Sequence, residues 1–331
     1  MTIGHPFGDA EHVFPLPDPQ LRGILLKLRG SGLAPYHVAG VQESRSRVLR
    51  SRELADPGPE VHDVEDFFIP ATKEPVRARR YTAAASDAPG LVVYFHGGGW
   101  VVGGIEESDA MCRSLANASG CDVISVDYRL APENIFPAAV DDADAAVAWA
   151  SQQRPDGCSL VVMGDSAGGN LATVAARRAR DRGDDAIVLQ VLIYPVTDHR
   201  MNTSSYDEHG EQFLISAEDM RWFWDQYVPD MGARQSVEAS PGLATDLAGM
   251  PPAHFVIARY DPLQDEAAAY ASSLMDAGVA VTVDHYDAMV HGFFLLLGQV
   301  DTADQALQSV ASAIRAAVDG RAVTAPRGVV V

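Results

Sequence analysis

The sequence predicts an α/β fold: a mostly parallel central sheet with helices on both faces and a helical cap above one end. Three observations carry this. From Leu91 onward, short apolar runs of strand length alternate with helical segments, as parallel strands joined by crossover helices require. The rhythm breaks once, between Pro195 and Pro252, in a stretch too long for a simple helix-to-strand connection. And Gly164-Asp165-Ser166-Ala167-Gly168 stands between an apolar strand and a helix, a setting that aims one serine hydroxyl out of the sheet's carboxyl edge.

The elements follow in order. After a Pro-rich start, residues 18 to 50 show helical spacing (Leu21, Ile24, Leu25, Leu28) and then an Arg-rich polar stretch. Val64 to Ile69 and Val76 to Tyr81 read as an opening strand pair. Further strands are expected at 91–95, 123–126, 160–163, 188–193, 254–258 and 279–284, with helices near 106–119, 136–153, 167–180, 264–277 and 301–318. In the broken stretch, Phe213-Leu214-Ile215 precedes Met220, Trp222, Phe223, Trp224 and Tyr227 at helical spacing, which predicts a helical insertion above the sheet. The expected division is a cap segment over 1–55, core over 56–195, a cap insertion over 196–235, core again over 236–320 and a disordered tail over 321–331.

Composition narrows the partners. A chain of 331 residues that is 47% hydrophobic can bury a substantial core. Its formal net charge of −20 argues against nucleic acid and anionic membranes. No apolar stretch approaches the roughly 20 residues of a membrane span, and the first seven residues lack the pattern of a signal peptide. Cys112, Cys121 and Cys158 form no CxxC pair, which suits a reducing cytoplasm. No metal-spaced histidine cluster, phosphate loop or dinucleotide fingerprint is present, so neither metal nor cofactor is expected. A homodimer through an edge strand or the C-terminal helix is compatible with the sequence, which carries no feature demanding one.

The chemistry gathers around Ser166. A G-x-S-x-G turn between strand and helix is the nucleophile elbow of α/β-hydrolases. A serine nucleophile then needs a base, an acid to orient it and donors for the oxyanion. His291 follows the last predicted strand, in Met289-Val290-His291-Gly292-Phe293, where that fold keeps its base. Three carboxylates compete as the acid. Asp261 follows the apolar segment 254–258 across a short turn and is favoured. Asp265 more naturally serves the first turn of the next helix, and Asp287 shapes its own loop. His96-Gly97-Gly98-Gly99-Trp100 follows a central strand, and its glycines let backbone N–H groups approach a developing negative charge. The N–H of Ala167 is the expected third donor. Trp100, Phe213, Trp224 and Phe293 are candidates to line a substrate pocket, although aromatic stripes are more often core.

Taken together, His96-Gly97-Gly98-Gly99-Trp100, Asp127-Tyr128-Arg129-Leu130-Ala131-Pro132-Glu133, Gly164-Asp165-Ser166-Ala167-Gly168-Gly169-Asn170, Tyr260-Asp261-Pro262-Leu263 and His291-Gly292-Phe293 resemble the bacterial hormone-sensitive-lipase-like carboxylesterases. The resemblance runs from about residue 60 to 315. It implies an α/β-hydrolase fold with a helical cap and a Ser166, Asp261, His291 triad. It also implies an oxyanion hole of Gly98, Gly99 and Ala167, with Gly97 shaping the turn, and the hydrolysis of carboxylic esters; the compact cap in turn suggests esters of short to medium chain. Two departures stand out: Gln264 where the family often has arginine, and Asn134-Ile135 where it commonly has histidine. Asp127, Arg129 and Glu133 are read as one structural charge network beneath the site. Two alternatives share the fold: an amide hydrolase of the arylformamidase kind, and a receptor that keeps the pocket without the chemistry.

Overall fold

A parallel strand covered by helices on both faces has no polar side to show, so it reads as an unbroken apolar run. Leu91-Val92-Val93-Tyr94-Phe95 is such a run, and every residue of it is buried. Its side chains alternate as the pleat demands. Leu91, Val93 and Phe95 enter one hydrophobic cluster, whereas Val92 and Tyr94 enter the other.

The computed structural model describes residues 18–52, 57–71, 73–83, 88–211 and 214–321. The chain begins with helices α1 (Pro19–Gly30) and α2 (Tyr36–Arg52), then strands β1 (Asp63–Ile69), β2 (Val76–Thr82) and β3 (Gly90–Phe95). Alternation follows with α3 (Ile105–Ser119), β4 (Asp122–Asp127), α4 (Ala138–Gln153), β5 (Ser159–Asp165), α5 (Ala167–Asp181) and β6 (Ile187–Ile193). Short helices α6 (Ser204–His209) and α7 (Ala217–Tyr227) precede β7 (Ala253–Tyr260), α8 (Gln264–Asp276), β8 (Val281–Val290) and α9 (Asp301–Val318). Among the described residues eight strands form one sheet in the order β1-β2-β4-β3-β5-β6-β7-β8. Only β2 runs in the direction opposite to the other seven. Helices α4, α5 and α8 cover one face and α3 with α9 the other.

Two boundaries moved for local reasons. Strand β8 starts at Val281 rather than 279, because the N–H groups of Gly278 and Val279 close the end of α8 on Met275 and Leu274. It then runs on to Val290, paired with Tyr260, and delivers His291 at its tip. Helix α4 starts at Ala138 rather than 136, since Pro137 takes the position before it and the Phe136 N–H is spent on the Tyr227 carbonyl.

The N-terminal helices part company. Helix α1 lies on the α9 side, with Leu21 buried in that cluster and Gln20 exchanging hydrogen bonds with Asp301. Helix α2 reaches the insertion. The His37 N–H and imidazole both bond Asp219 (3.0 and 2.8 Å), and the Tyr36 and Phe223 rings sit 5.3 Å apart. The expected irregular start and the tail beyond 321 lie outside the described residues.

Asp127, Arg129 and Glu133 do not form one network. Asp127 meets Arg77 at 3.5 Å and Glu133 meets Arg45 at 2.7 Å. Arg129 forks onto Asp142, a fully buried carboxylate on α4, through contacts of 2.6 and 2.8 Å. All three partners lie outside the Asp127–Glu133 segment, 13 residues away for Arg129, 50 for Asp127 and 88 for Glu133, which local reading does not see. Removing one member of a buried pair strands the other charge. Asp142→Ala is therefore expected to lower unfolding stability by about 3 kcal/mol, measured as a reduced midpoint in urea with unchanged m-value. A loss under about 1 kcal/mol would show the pair to be dispensable.

Candidate active site

Ser166 occupies the single residue between β5 and α5, at φ 53° and ψ −120°. A non-glycine residue held there costs of order 1–3 kcal/mol and persists only where neighbours over-determine it. Those neighbours are named easily. The Ser166 N–H is held by the Ile193 carbonyl at 2.8 Å, and the Ser166 carbonyl accepts from Val196 and Asn170, both at 3.2 Å. The flanking glycines are spatial necessities. A Cβ on Gly164 would overlap the backbone of Gly168, and one on Gly168 would overlap the Phe95 carbonyl. The turn is this sharp because two chains cross where side chains would sit.

His291 Nε2 lies 3.0 Å from Ser166 Oγ, and His291 Nδ1 lies 2.7 Å from Asp261 Oδ2. The three come from the ends of β5, β7 and β8, and each is nearly or wholly buried. Asp261 Oδ1 accepts the Leu263 N–H at 2.8 Å, so both carboxylate oxygens are committed and the group cannot rotate. The Tyr194 ring flanks the imidazole at 4.6 Å. Of the three carboxylates weighed, only Asp261 reaches His291. Asp265 receives the Ser205 N–H at 2.9 Å, and Asp287 sits exposed beside His285.

Gly98, Gly99 and Trp100 form a run of left-handed residues, at φ 109°, 58° and 61°. Successive peptides in such a conformation can turn their N–H groups toward a common anion. The N–H groups of Gly98, Gly99 and Ala167 make no hydrogen bond among the described residues. Gly97 differs: its N–H is bound to Asp165 Oδ1 at 2.9 Å.

Asp165 is a feature that the sequence reading passed over. Its Oδ1 also accepts the Tyr94 hydroxyl at 2.6 Å, so one buried carboxylate beside Ser166 ties the glycine loop to β3. Burial raises its pKa, opposed by the Tyr94 hydrogen bond and nearby histidines. A Cβ on Gly97 would overlap this carboxylate. The available signal was the alternation on β3, which puts Tyr94 opposite Phe95 and below the glycines.

The aromatic candidates pack differently from a pocket wall. Trp100, Trp224 and Phe293 have 0% exposure. Trp100 stacks on Tyr227 at 4.2 Å and tilts against Trp224 at 5.0 Å, while Phe293 packs between Tyr194 and Tyr286. Phe213 lies outside the described residues. The insertion instead meets the site through Phe223, whose ring occupies the space a Cβ on Gly99 would need, and through Leu214, beside Gly292. Leu214 is partly exposed, so it retains surface a substrate could touch.

The chain is similar to known proteins along most of its length. The family described as the alpha/beta hydrolase fold matches residues 92–295. The carboxylic ester hydrolase LipN of Mycobacterium tuberculosis is 40% identical over 310 residues, covering 90% of this chain and 82% of its own length. The ethyl acetate hydrolase of Pseudomonas putida is 35% identical, covering 85% and 92%. The structure of a hyperthermophilic esterase from Pyrobaculum calidifontis superposes with a TM-score of 0.86 at 40% identity, over 90% of this chain and 97% of that one. Among the described residues no helix is long and apolar enough to cross a membrane.

Proposed function

Because the chain belongs to the α/β-hydrolase fold family, among its hormone-sensitive-lipase-like carboxylic-ester hydrolases, we propose that it cleaves short- to medium-chain esters with Ser166 as nucleophile, His291 as base and Asp261 as orienting acid. The observation that carries this reading is the unbroken chain of contacts, 3.0 Å from Ser166 to His291 and 2.7 Å on to Asp261.

In the first half-reaction His291 Nε2 takes the Ser166 proton as Oγ attacks the ester carbonyl. Asp261 holds the proton on Nδ1 and stabilises the imidazolium that forms. The carbonyl oxygen, now negative, is received by the free N–H groups of Gly98, Gly99 and Ala167, each donor of this kind being worth about 3 kcal/mol. The imidazolium then protonates the departing alcohol, leaving an acyl-serine. Water repeats the sequence: His291 removes its proton, the second tetrahedral intermediate uses the same donors, and the carboxylic acid leaves with Ser166 restored. Helix α2 and the insertion over 196–235 act as the cap that bounds the substrate's approach.

Two things support a small substrate. The ring of Phe223 closes down on Gly99, and the Pseudomonas relative is named for ethyl acetate. The test is hydrolysis of p-nitrophenyl esters from acetate to palmitate. Turnover is expected to peak at or below about eight acyl carbons, since a compact pocket gains little from chain it cannot bury. Activity rising with length to palmitate, or rising steeply above micelle formation, would overturn the small-substrate assignment.

A further inference from the structure

Glu266 is a buried carboxyl that the mechanism does not use. It is 4% exposed. Its Oε1 accepts the N–H groups of Thr197 (2.6 Å) and Asp198 (3.2 Å), and its own backbone carbonyl accepts the Thr197 hydroxyl at 3.0 Å. Its Oε2 is buried with no backbone N–H and no cation bonded to it. Glu266 thus joins three pieces of the site. The segment it grips lies in the loop after β6 and begins one residue beyond Val196, whose N–H holds the Ser166 carbonyl. Its own helix opens with the turn that carries Asp261, closed by Gln264 N–H on the Asp261 carbonyl at 3.0 Å. The Tyr206 phenol, from the first helix of the insertion, faces the same carboxyl.

We propose that Glu266 is a positioning residue for the triad that works as its neutral acid, and that its ionisation limits activity on the alkaline side. This assignment rests on the triad proposed above. The charges facing Glu266 come from every element packed on it. Asp198 and Arg200 belong to the loop after β6, Tyr206 to α6 and Asp261 to the loop after β7. Arg200 is engaged with Asp198. Ionising Glu266 would therefore add a negative charge beside Asp198 and Asp261, while Arg200, the cation facing it, is already bonded to Asp198. Burial drives its pKa from the ordinary 4.5 to about 8, against the pull of the Thr197 and Asp198 N–H groups.

The sign of the stability effect follows. The unfolded chain releases this proton near the ordinary glutamate value, and the folded chain only near 8. Folding is thus progressively disfavoured as pH rises between the two, and the dependence ends once the folded carboxyl ionises.

The test compares wild type with Glu266→Gln, which keeps the neutral form's shape at every pH. At about pH 6.5 the variant is expected to retain kcat/KM within about threefold, and at about pH 9.5 to exceed wild type by about threefold or more. An identical alkaline limb in both proteins, or a loss above about tenfold at every pH, would overturn the proposal. Thermal midpoints give a readout independent of catalysis: the variant should gain on wild type steadily from about pH 5 to 8, and a constant difference would count against the idea. If the variant does not fold, carboxyl-labelled glutamate in the wild type decides by NMR. One carboxyl titrating above about pH 7 is expected, and none doing so would overturn the assignment. Failure of the triad reading would look different: wild type and Ser166→Ala would share the same ester rate, while the thermal and NMR results would still stand.

Discussion

Ser166→Ala is expected to lose about 10⁶-fold in kcat while folding as the wild type does. The size of the loss follows from covalent chemistry: without Oγ there is no acyl-enzyme, and His291 has no proton to take. The preserved fold follows from what holds the elbow. The Ser166 N–H bond to Ile193 and its carbonyl contacts with Val196 and Asn170 are all backbone, and alanine keeps each of them. A residual rate of about 10³-fold over water should remain, supplied by the oxyanion donors and binding. Circular dichroism and thermal unfolding alongside ester kinetics check both halves. Retention of more than about a tenth of the wild-type rate would remove Ser166 from the nucleophile's role.

Asp261→Asn is expected to cost about 10⁴-fold at neutral pH, and the surroundings of Asp261 say why. Its Oδ1 accepts the Leu263 N–H at 2.8 Å. An asparagine must put its carbonyl oxygen there to keep that bond, which turns its amide nitrogen toward His291 Nδ1. An N–H on that side forces Nδ1 to act as acceptor and moves the ring proton to Nε2, facing Ser166. The base then presents a proton where it should receive one. Stability should change little, because shape and hydrogen bonds survive. Should the variant keep its rate within about tenfold, His291 would be oriented by its other neighbour, Tyr194, rather than by the carboxylate.

The sequence carried much of this site because its motifs are local statements of geometry. Gly164 and Gly168 are small for reasons visible in the elbow itself, and their spacing names the serine between them. The strands were legible because a sheet covered on both faces leaves an apolar run with no alternative period. What escaped was whatever depends on a partner far along the chain. Arg129 finds Asp142, but Glu133 finds Arg45, 88 residues away, and no pattern within the Asp127–Glu133 segment announces that separation. Trp100 and Trp224 looked like pocket residues by type and spacing. Their burial is decided by each other and by Tyr227, which a periodicity cannot express. Glu266 is invisible for the same reason: its partners Thr197 and Asp198 are brought to it only when the loop after β6 packs against α8.

The contact between Phe223 and Gly99 has a consequence for how such proteins diversify. The insertion carries the ring, and the catalytic core carries the vacancy that admits it. A new insertion grafted onto this core would arrive without its counterpart, leaving a gap over the glycine loop or a collision with it. Exchanging the insertion for another is therefore expected to succeed only where the incoming segment also fills the space above Gly99 without colliding with it.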